Sequence, residues 1–280
     1  MAKASLRSTL RAPAGAIDLS GLDPRATPLA PGGKKATREA LIGQGAELDE
    51  LQERLYAEGT GARARRRVVL VLQGMDTSGK DGTIKHVAGQ LNPQGVHIAS
   101  FKQPTEEELE HHFLWRIRRQ IPAAGLVGVF NRSHYEDVLV VRVHELVAPA
   151  VWGKRYGEIN DFEAELAADG VTWIKVFLHI SHEEQRERLI ARLDDPTKRW
   201  KFNPSDVRER RFWADYQRAY ADALERCSTD TAPWYVVPAD RKWYRDWAVA
   251  GLVHETLRDL DPQYPRRRFD ADAWKQRLQE

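Results

Sequence analysis

The sequence of 280 residues is poor in cysteine, in net charge and in long apolar runs, and each shortage excludes a class of protein. Cys227 is the only cysteine, so no disulfide can form within the chain, and a reducing cytoplasm is the expected location. A net charge of +2 provides no bulk attraction to nucleic acid or to an anionic membrane. No apolar run approaches the roughly 20 residues of a transmembrane helix. We therefore expect neither a nucleic-acid partner nor a membrane span, and an anion site has to come from local clustering.

The amino-terminal stretch also lacks a regular pattern. Met1 to Leu10 contain no apolar segment of the kind that a secretory signal needs, so we expect none. Prolines and glycines interrupt residues 1–35 without a helical or strand period, which predicts an extended arm. A helical pattern follows over residues 37–58, and the main domain is expected to span 36–265, with a tail at 266–280.

Five apolar segments alternate with helical segments along the main domain. They are short and rich in Val, Leu and Ile, as buried parallel strands are. Predicted strands lie at 68–72, 96–101, 126–130, 173–180 and 232–238, and predicted helices lie at 105–120, after Ser181, at 205–225 and at 243–260. This alternation indicates an α/β domain built on one doubly wound parallel sheet.

A phosphate-loop pattern follows the first strand. Gly74 and Gly79 enclose four residues, and Lys80 comes next, where a helix is expected to begin. Glycines allow the backbone to turn its N–H groups toward phosphate oxygens, the helix adds its positive end, and the lysine supplies a compact charge. Asp81 stands where the usual pattern has the Ser or Thr that binds magnesium.

A polar cluster follows the third strand, at the end of a parallel sheet where ligands usually bind. It runs from Asn131 to Asp137, and Arg132 and Arg142 are candidates for clamping phosphate. A surface ion pair is the alternative for Arg132. His134 and Tyr135 can bind ligand or simply pack in the core.

A basic turn at 192–201 separates two helices after the fourth strand. We interpret residues 182–225 as a lid that brings cations onto transferring phosphates and excludes water. Acids nearly balance bases over 182–212, so a solvated charged surface is the alternative.

Four motifs in this order resemble the second family of polyphosphate kinases. They are the segments 73–82, 130–143, 195–202 and 232–239, the last followed by Trp243 and Tyr244, and the resemblance covers about residues 36–265. It implies a three-layer P-loop kinase fold similar to thymidylate kinase, with a five-stranded parallel sheet, helices on both faces and a helical lid. It further implies phosphoryl transfer between inorganic polyphosphate and a nucleotide, a requirement for Mg²⁺, and assembly into dimers or tetramers.

The resemblance also implies roles for individual residues. Relatives of other branches carry an acid where this chain has Asn131, which shifts the expected metal ligands toward Glu136 and Asp137. The implied catalytic residues are Asp76, Lys80, Arg132 and Arg142; the implied phosphate- or nucleotide-binding residues are Gly74, Met75, Thr77, Ser78, Gly79, Asp81, Gly82, Asn131, His134 and Tyr135; the implied polyphosphate-binding residues of the lid are Arg192, Lys198, Arg199 and Lys201; and the implied metal ligands are Asp76, Glu136 and Asp137.

The version of the motif at 131–137 resembles the branch that accepts both nucleoside mono- and diphosphates. It implies the conversion of AMP to ADP and of ADP to ATP, with guanine nucleotides left open as acceptors. Two other functions remain compatible with the residues: an ATP-dependent nucleoside monophosphate kinase, and a nucleotide- or polyphosphate-binding regulator without turnover.

Overall fold

The computed structural model describes residues 4–266 and 269–280 and is built around a five-stranded parallel sheet. The strands are β1 (Arg67–Gln73), β2 (Val96–Ser100), β3 (Val127–Asn131), β4 (Val171–His179) and β5 (Trp234–Pro238). They lie in the order β2-β3-β1-β4-β5, and every neighbouring pair is parallel. The predicted sheet is confirmed.

Strand β1 occupies the centre of this sheet. It pairs with β3 on one edge and with β4 on the other, and the side chains from Val68 to Leu72 are almost completely buried. Because the strand order reverses direction at β1, a crevice opens beyond its carboxyl end. The residues that follow β1 and β3 therefore share that crevice.

The described residues form thirteen α-helices. They are α1 (Leu6–Leu10), α2 (Lys34–Gly43), α3 (Gly45–Gly59), α4 (Lys80–Val87), α5 (Glu106–Leu109), α6 (Trp115–Arg118), α7 (Val140–Val143), α8 (Pro149–Ala168), α9 (His182–Asp194), α10 (Pro204–Glu209), α11 (Trp213–Cys227), α12 (Lys242–Leu260) and α13 (Ala271–Gln279). Helices α2, α3, α4 and α12 pack together on one face of the sheet, and α8 packs with α11 on the other. Over the described part of the chain, no helix has the length and apolarity to cross a membrane.

The single helix predicted at 105–120 is wrong, since the structure has the two short helices α5 and α6 there. Arg116 explains the break, because it is 7% exposed and its guanidinium reaches back over the turn. Its Nη1 donates to the carbonyl of Lys102 at 2.9 Å and to the carboxylate of Glu108 at 3.2 Å. These tertiary bonds outweigh the local helical pattern.

Three other predicted boundaries also differ from the structure. The helix predicted at 37–58 is divided into α2 and α3 at Gln44, and the one predicted at 205–225 is divided into α10 and α11 by the 3₁₀ turn Arg210–Phe212. Part of the predicted tail forms α13, while residues 267–268 lie outside the described residues.

The arm at the amino terminus is packed on the domain, although the sequence shows no period there. Helix α1 buries Leu6 and Leu10 against α12, where a Cβ at Gly251 would lie 2.3 Å from Leu6 Cδ1. The backbone N–H groups of Leu6 and Arg7 donate to the Glu255 carboxylate, each at 2.9 Å. Docking on a long helix, together with the local capping box of Ser5 and Ser8, orders this segment.

Candidate active site

The loop between β1 and α4 has the geometry of a phosphate cradle. Gly74 and Gly79 have φ angles of +150° and +105°, which side chains rarely adopt. A Cβ at Gly74 would lie 2.8 Å from the carbonyl oxygen of Leu178, and one at Gly79 would lie 1.7 Å from Arg245 Nη1. Both glycines are therefore required by the conformation and by the space. Helix α4 begins directly after the loop, at Lys80, and directs its positive end to the same place.

A buried arginine of α9 holds the underside of this loop. Arg188 Nη1 donates to the carbonyls of Thr77 and Ser78 at 2.9 and 3.0 Å. Its Nη2 donates to the carbonyls of Ala239 and Asp240 at 2.6 and 3.0 Å. The loop carbonyls, which would repel a phosphate, are thus satisfied from below, and burial lowers the pKa of Arg188.

Above the loop, two cations and two acids form one cluster. Lys80 Nζ donates to the carbonyl of Gly74 at 2.8 Å. Burial, together with the charge of Arg132, lowers the pKa of Lys80 to about 8. Arg132 donates to Asp76 Oδ1 at 3.1 Å and to Glu136 Oε2 at 3.3 Å, and the charge of Glu136 raises its pKa. Arg132 has a φ of +64°, so a strained backbone directs this side chain into the cluster.

The cluster opens into a cavity of about 1200 Å³. Ten Lys or Arg residues line this cavity against three Asp residues, so it is suited to an anion with several charges. The cations are Arg38, Lys80, Lys102, Arg132, Arg188, Arg192, Lys198, Lys201, Lys242 and Arg245, and the acids are Asp76, Asp81 and Asp246.

The basic turn of the lid faces the phosphate loop across this cavity. Arg192, Lys198 and Lys201 line it, whereas Arg199 does not and donates to the carbonyl of Leu193 at 2.8 Å. Lys201 Nζ lies 3.9 Å from Asp81 Oδ2. Asp81 Oδ1 also accepts from Asn131 Nδ2 at 3.0 Å. Asp81, which replaces the usual Ser or Thr at the start of α4, therefore contacts both β3 and the lid.

Arg142 and Asp137, two of the predicted site residues, lie away from the cavity. Arg142 donates to the Tyr156 hydroxyl at 3.0 Å and pairs with Asp222. Asp137 accepts from Arg155 Nη1 at 2.9 Å, and burial raises its pKa despite that neighbour. The structure does not bring either side chain beside Asp76.

His134 and Tyr135 are completely buried beneath the cluster. His134 Nε2 and the Tyr135 hydroxyl lie 3.0 and 2.9 Å from Glu163 Oε1. Lys175 Nζ donates to Glu163 Oε2 at 2.5 Å, to Tyr135 at 2.7 Å and to the carbonyl of Cys227 at 2.7 Å. Burial alone would raise the pKa of Glu163, but Lys175 and His134 together lower it. The two residues predicted to contact nucleotide thus belong to a core network.

The donor set suits a metal ion that is shared with a ligand. Within the described ranges, no group of three or more His, Cys, Asp or Glu side chains could hold a metal by itself. Asp76, however, lines the cavity beside Lys80 and Arg132, and Glu136 lies on the far side of Arg132. Mg²⁺ is typically held by one or two carboxylates plus phosphate oxygens, so these residues fit it.

Two buried arginines of the site, Arg188 and Arg245, have no functional signal in the sequence. Arg188 carried the same signal as its neighbours Arg186 and Arg192, namely a charge in a helix. Arg245 Nη1 approaches the Ser78 carbonyl at 3.4 Å from α12, which was predicted only as a closing helix. Arg188 and Arg245 lie 110 and 167 residues after the Ser78 carbonyl that they contact. No local sequence pattern reveals such a contact, because it exists only in the folded chain.

The family model described as polyphosphate kinase 2 matches residues 33–265 of the chain. The AMP/ADP-polyphosphate phosphotransferase of Meiothermus ruber is 52% identical over 254 residues, which cover 91% of this chain and 93% of that protein. The ADP-polyphosphate phosphotransferase of Rhodopseudomonas palustris is 43% identical over 244 residues, which cover 83% of each chain.

A solved structure agrees with these relatives. The crystal structure of polyphosphate kinase 2 from Arthrobacter aurescens TC1 superposes with a TM-score of 0.95 at 48% identity, covering 98% of this chain and 96% of that one. The fold and the family that the motifs predicted are thereby confirmed.

Proposed function

The chain belongs to the polyphosphate kinase 2 family, and we propose that it transfers phosphoryl groups between inorganic polyphosphate and AMP or ADP. The observation that carries the proposal is the cavity in which the phosphate loop and the basic lid turn face each other. A linear polyanion needs a track of cations rather than a single pocket, and ten basic residues line this cavity.

Phosphoryl transfer to a nucleotide requires positioning of the reacting groups rather than a strong general base. A terminal phosphate oxygen of the nucleotide is the nucleophile, and it is already ionised at neutral pH. Lys80 and Arg132 bind the phosphoryl group that moves and balance the charge that develops on it, while the loop orients it. Lys198 and Lys201 of the lid hold the remaining polyphosphate.

Mg²⁺ is the proposed metal, with Asp76 as its principal ligand and Glu136 as the second carboxylate. When bound, it neutralises charge on the phosphate oxygens of donor and acceptor. Asp76 also holds Arg132, so the same carboxylate sets the position of the arginine beside the reacting group.

The decisive experiment supplies the purified protein with ADP, Mg²⁺ and polyphosphate in the absence of ATP and measures the ATP formed. The proposal expects ATP, and it expects ADP when AMP replaces ADP. A protein that phosphorylates AMP only from ATP would be the nucleoside monophosphate kinase considered above, and one that binds polyphosphate without turnover would be the regulator. The variant Lys80→Ala serves as the control for contaminating kinase.

Acceptor range, assembly and location complete the proposal. Parallel assays with AMP, ADP, GMP and GDP test whether guanine nucleotides are accepted. Light scattering after size exclusion tests the proposed homodimer or homotetramer, and fractionation of the native cells tests the cytoplasmic location.

A further inference from the structure

The turn between β5 and α12 joins segments that are far apart in the sequence. Its central residue, Asp240, is 8% exposed. The Asp240 carboxylate accepts two hydrogen bonds from Ser181, one from the backbone N–H and one from the hydroxyl, each at 2.9 Å. The Asp240 N–H donates to the carbonyl of Pro24 in the amino-terminal arm at 3.1 Å. Two segments that are far apart in the sequence thus fix this one residue.

The turn that contains Asp240 holds α9 at two points. Ser181 is the residue that caps α9, since its Oγ accepts from the N–H of Glu184 at 3.0 Å. Two turns later, Arg188 returns to the same segment and donates to the carbonyls of Ala239 and Asp240. The start and the middle of the helix are therefore fixed to the 239–240 turn.

Helix α9 in turn holds three consecutive carbonyls of the phosphate loop. Gln185 Nε2 donates to the carbonyl of Asp76 at 3.1 Å, and Arg188 binds the carbonyls of Thr77 and Ser78. The last turn of α9 carries Arg192, which lines the cavity as part of the lid. A shift of α9 would thus move the loop and the lid together.

The arm supports this arrangement from outside the region that the family model matches, which begins at residue 33. The Leu22 carbonyl lies 3.0 Å from His179 Nε2 at the end of β4, two residues before Ser181. The Pro28 carbonyl accepts from the Tyr244 hydroxyl at 3.1 Å at the start of α12. Residues 22–28 therefore form hydrogen bonds to the strand before Ser181 and to the helix that follows the Asp240 turn.

We propose that Asp240 is a positioning residue for the phosphoryl transfer: it fixes α9, and α9 fixes the carbonyl side of the phosphate loop. This inference rests on the proposed function, since it assigns a part in that reaction. Asp240 itself does not line the cavity. Its effect arises because a displacement of about 1 Å in a group that holds substrate can lower a rate about 100-fold.

The test compares Asp240→Ala with Asp240→Asn and with Leu166→Ala, a buried change on α8 that should also lower thermal stability. The rate constant kcat and the KM for polyphosphate are measured well below the melting temperature, and amide hydrogen exchange is followed over residues 76–79. We expect Asp240→Ala to lower kcat by about 10- to 100-fold and to speed exchange in the loop. Asp240→Asn keeps an acceptor for the Ser181 N–H and should rescue kcat to within about threefold.

The proposal is overturned if Asp240→Ala keeps kcat and loop exchange at wild-type values. It is also overturned if Leu166→Ala lowers kcat and speeds loop exchange by as much as Asp240→Ala does. Should Asp240→Ala not fold, Ser181→Ala removes the hydroxyl bond to Asp240 together with the cap of α9. An unchanged kcat and exchange in that variant would overturn the proposal equally. A wild-type protein without polyphosphate-dependent turnover would contradict the proposed function alone. Loop exchange in the same variants would then still decide whether Asp240 positions the loop.

Discussion

Two polar clusters lie on opposite sides of the same short segment, and they differ in how their charges are satisfied. Arg132 lines the cavity with Lys80 and Asp76, and Glu136 pairs with the far side of Arg132. Lys80 has backbone carbonyls as its hydrogen-bond partners. His134, only two residues from Arg132, faces a core in which Glu163 and Lys175 form a completely buried ion pair.

The difference indicates what each cluster is for. In the cavity, burial and a neighbouring cation disfavour the charge of Lys80, a state that an incoming phosphate relieves. In the core, every charge has a partner, so that cluster can hold the segment in place but has no capacity for a ligand. Substitutions in the first cluster should therefore affect the reaction, and substitutions in the second should affect stability.

The largest expected effect is that of Lys80→Ala, which should lower kcat/KM by about 1000-fold because it removes a positive charge from the transferring phosphoryl group. The thermal midpoint should not fall, since a lysine whose pKa is depressed by burial weakens the folded state rather than stabilising it. Steady-state kinetics and calorimetry check the two halves of this prediction. A large loss of stability would show that the cavity cluster is structural after all.

The core cluster should respond in the opposite way. Lys175→Met leaves the Glu163 carboxylate buried without its cation and should cost about 3–5 kcal/mol of unfolding free energy, measured with urea. The double variant Lys175→Met with Glu163→Leu should recover most of this loss. Lys154→Met, an exposed change on α8, should stay within about 0.5 kcal/mol. If the double variant were no more stable than the single one, the buried charge would not be the cause.

Asp76 and Asp137 should differ in their effect on the Mg²⁺ dependence of the rate. Asp76→Asn should raise the Mg²⁺ concentration for half-maximal rate at least about tenfold, because Asp76 faces the cavity. Asp137→Asn should change that concentration by less than about threefold, because Asp137 is paired with Arg155 away from the cavity. Equal shifts in the two variants would refute the assignment of Asp76 as the principal ligand.

The last prediction concerns the dependence of the rate on pH. Lys80 binds phosphate in its protonated form, and its pKa in the free protein is about 8. The kcat/KM for polyphosphate should therefore fall by about tenfold for each pH unit above about 8. In Lys80→Arg this decline should be absent, because a guanidinium stays protonated throughout the range. A profile that declines equally in both proteins would assign the titration to another group.

Much of the site follows from local pattern. The spacing of Gly74, Gly79 and Lys80 specifies the loop, because positive φ angles and the space near Leu178 admit only glycine there. Apolar runs such as Val68–Leu72 specify the strands, because parallel strands at the centre of a sheet are buried on both faces. The family motifs also predict four lid cations, of which Arg192, Lys198 and Lys201 line the cavity and Arg199 does not.

Only the tertiary structure decided the direction of individual side chains and the groups that they contact. His134 and Tyr135 stand in the most informative motif, yet they turn into the core to meet Glu163, while Arg132 turns to the cavity. Arg188 looks like any helical cation until the fold places it under the phosphate loop.

The physical reason is the range of the forces involved. Glycine conformation and hydrophobic period act within a few residues, so the chain by itself determined the loop, the strands and the kinase-like sheet. The burial of Arg188 and the docking of the arm depend on partners more than 50 residues away, as with Asp240, which lies 216 residues after Pro24. Those contacts came into existence only when the helices packed on the sheet.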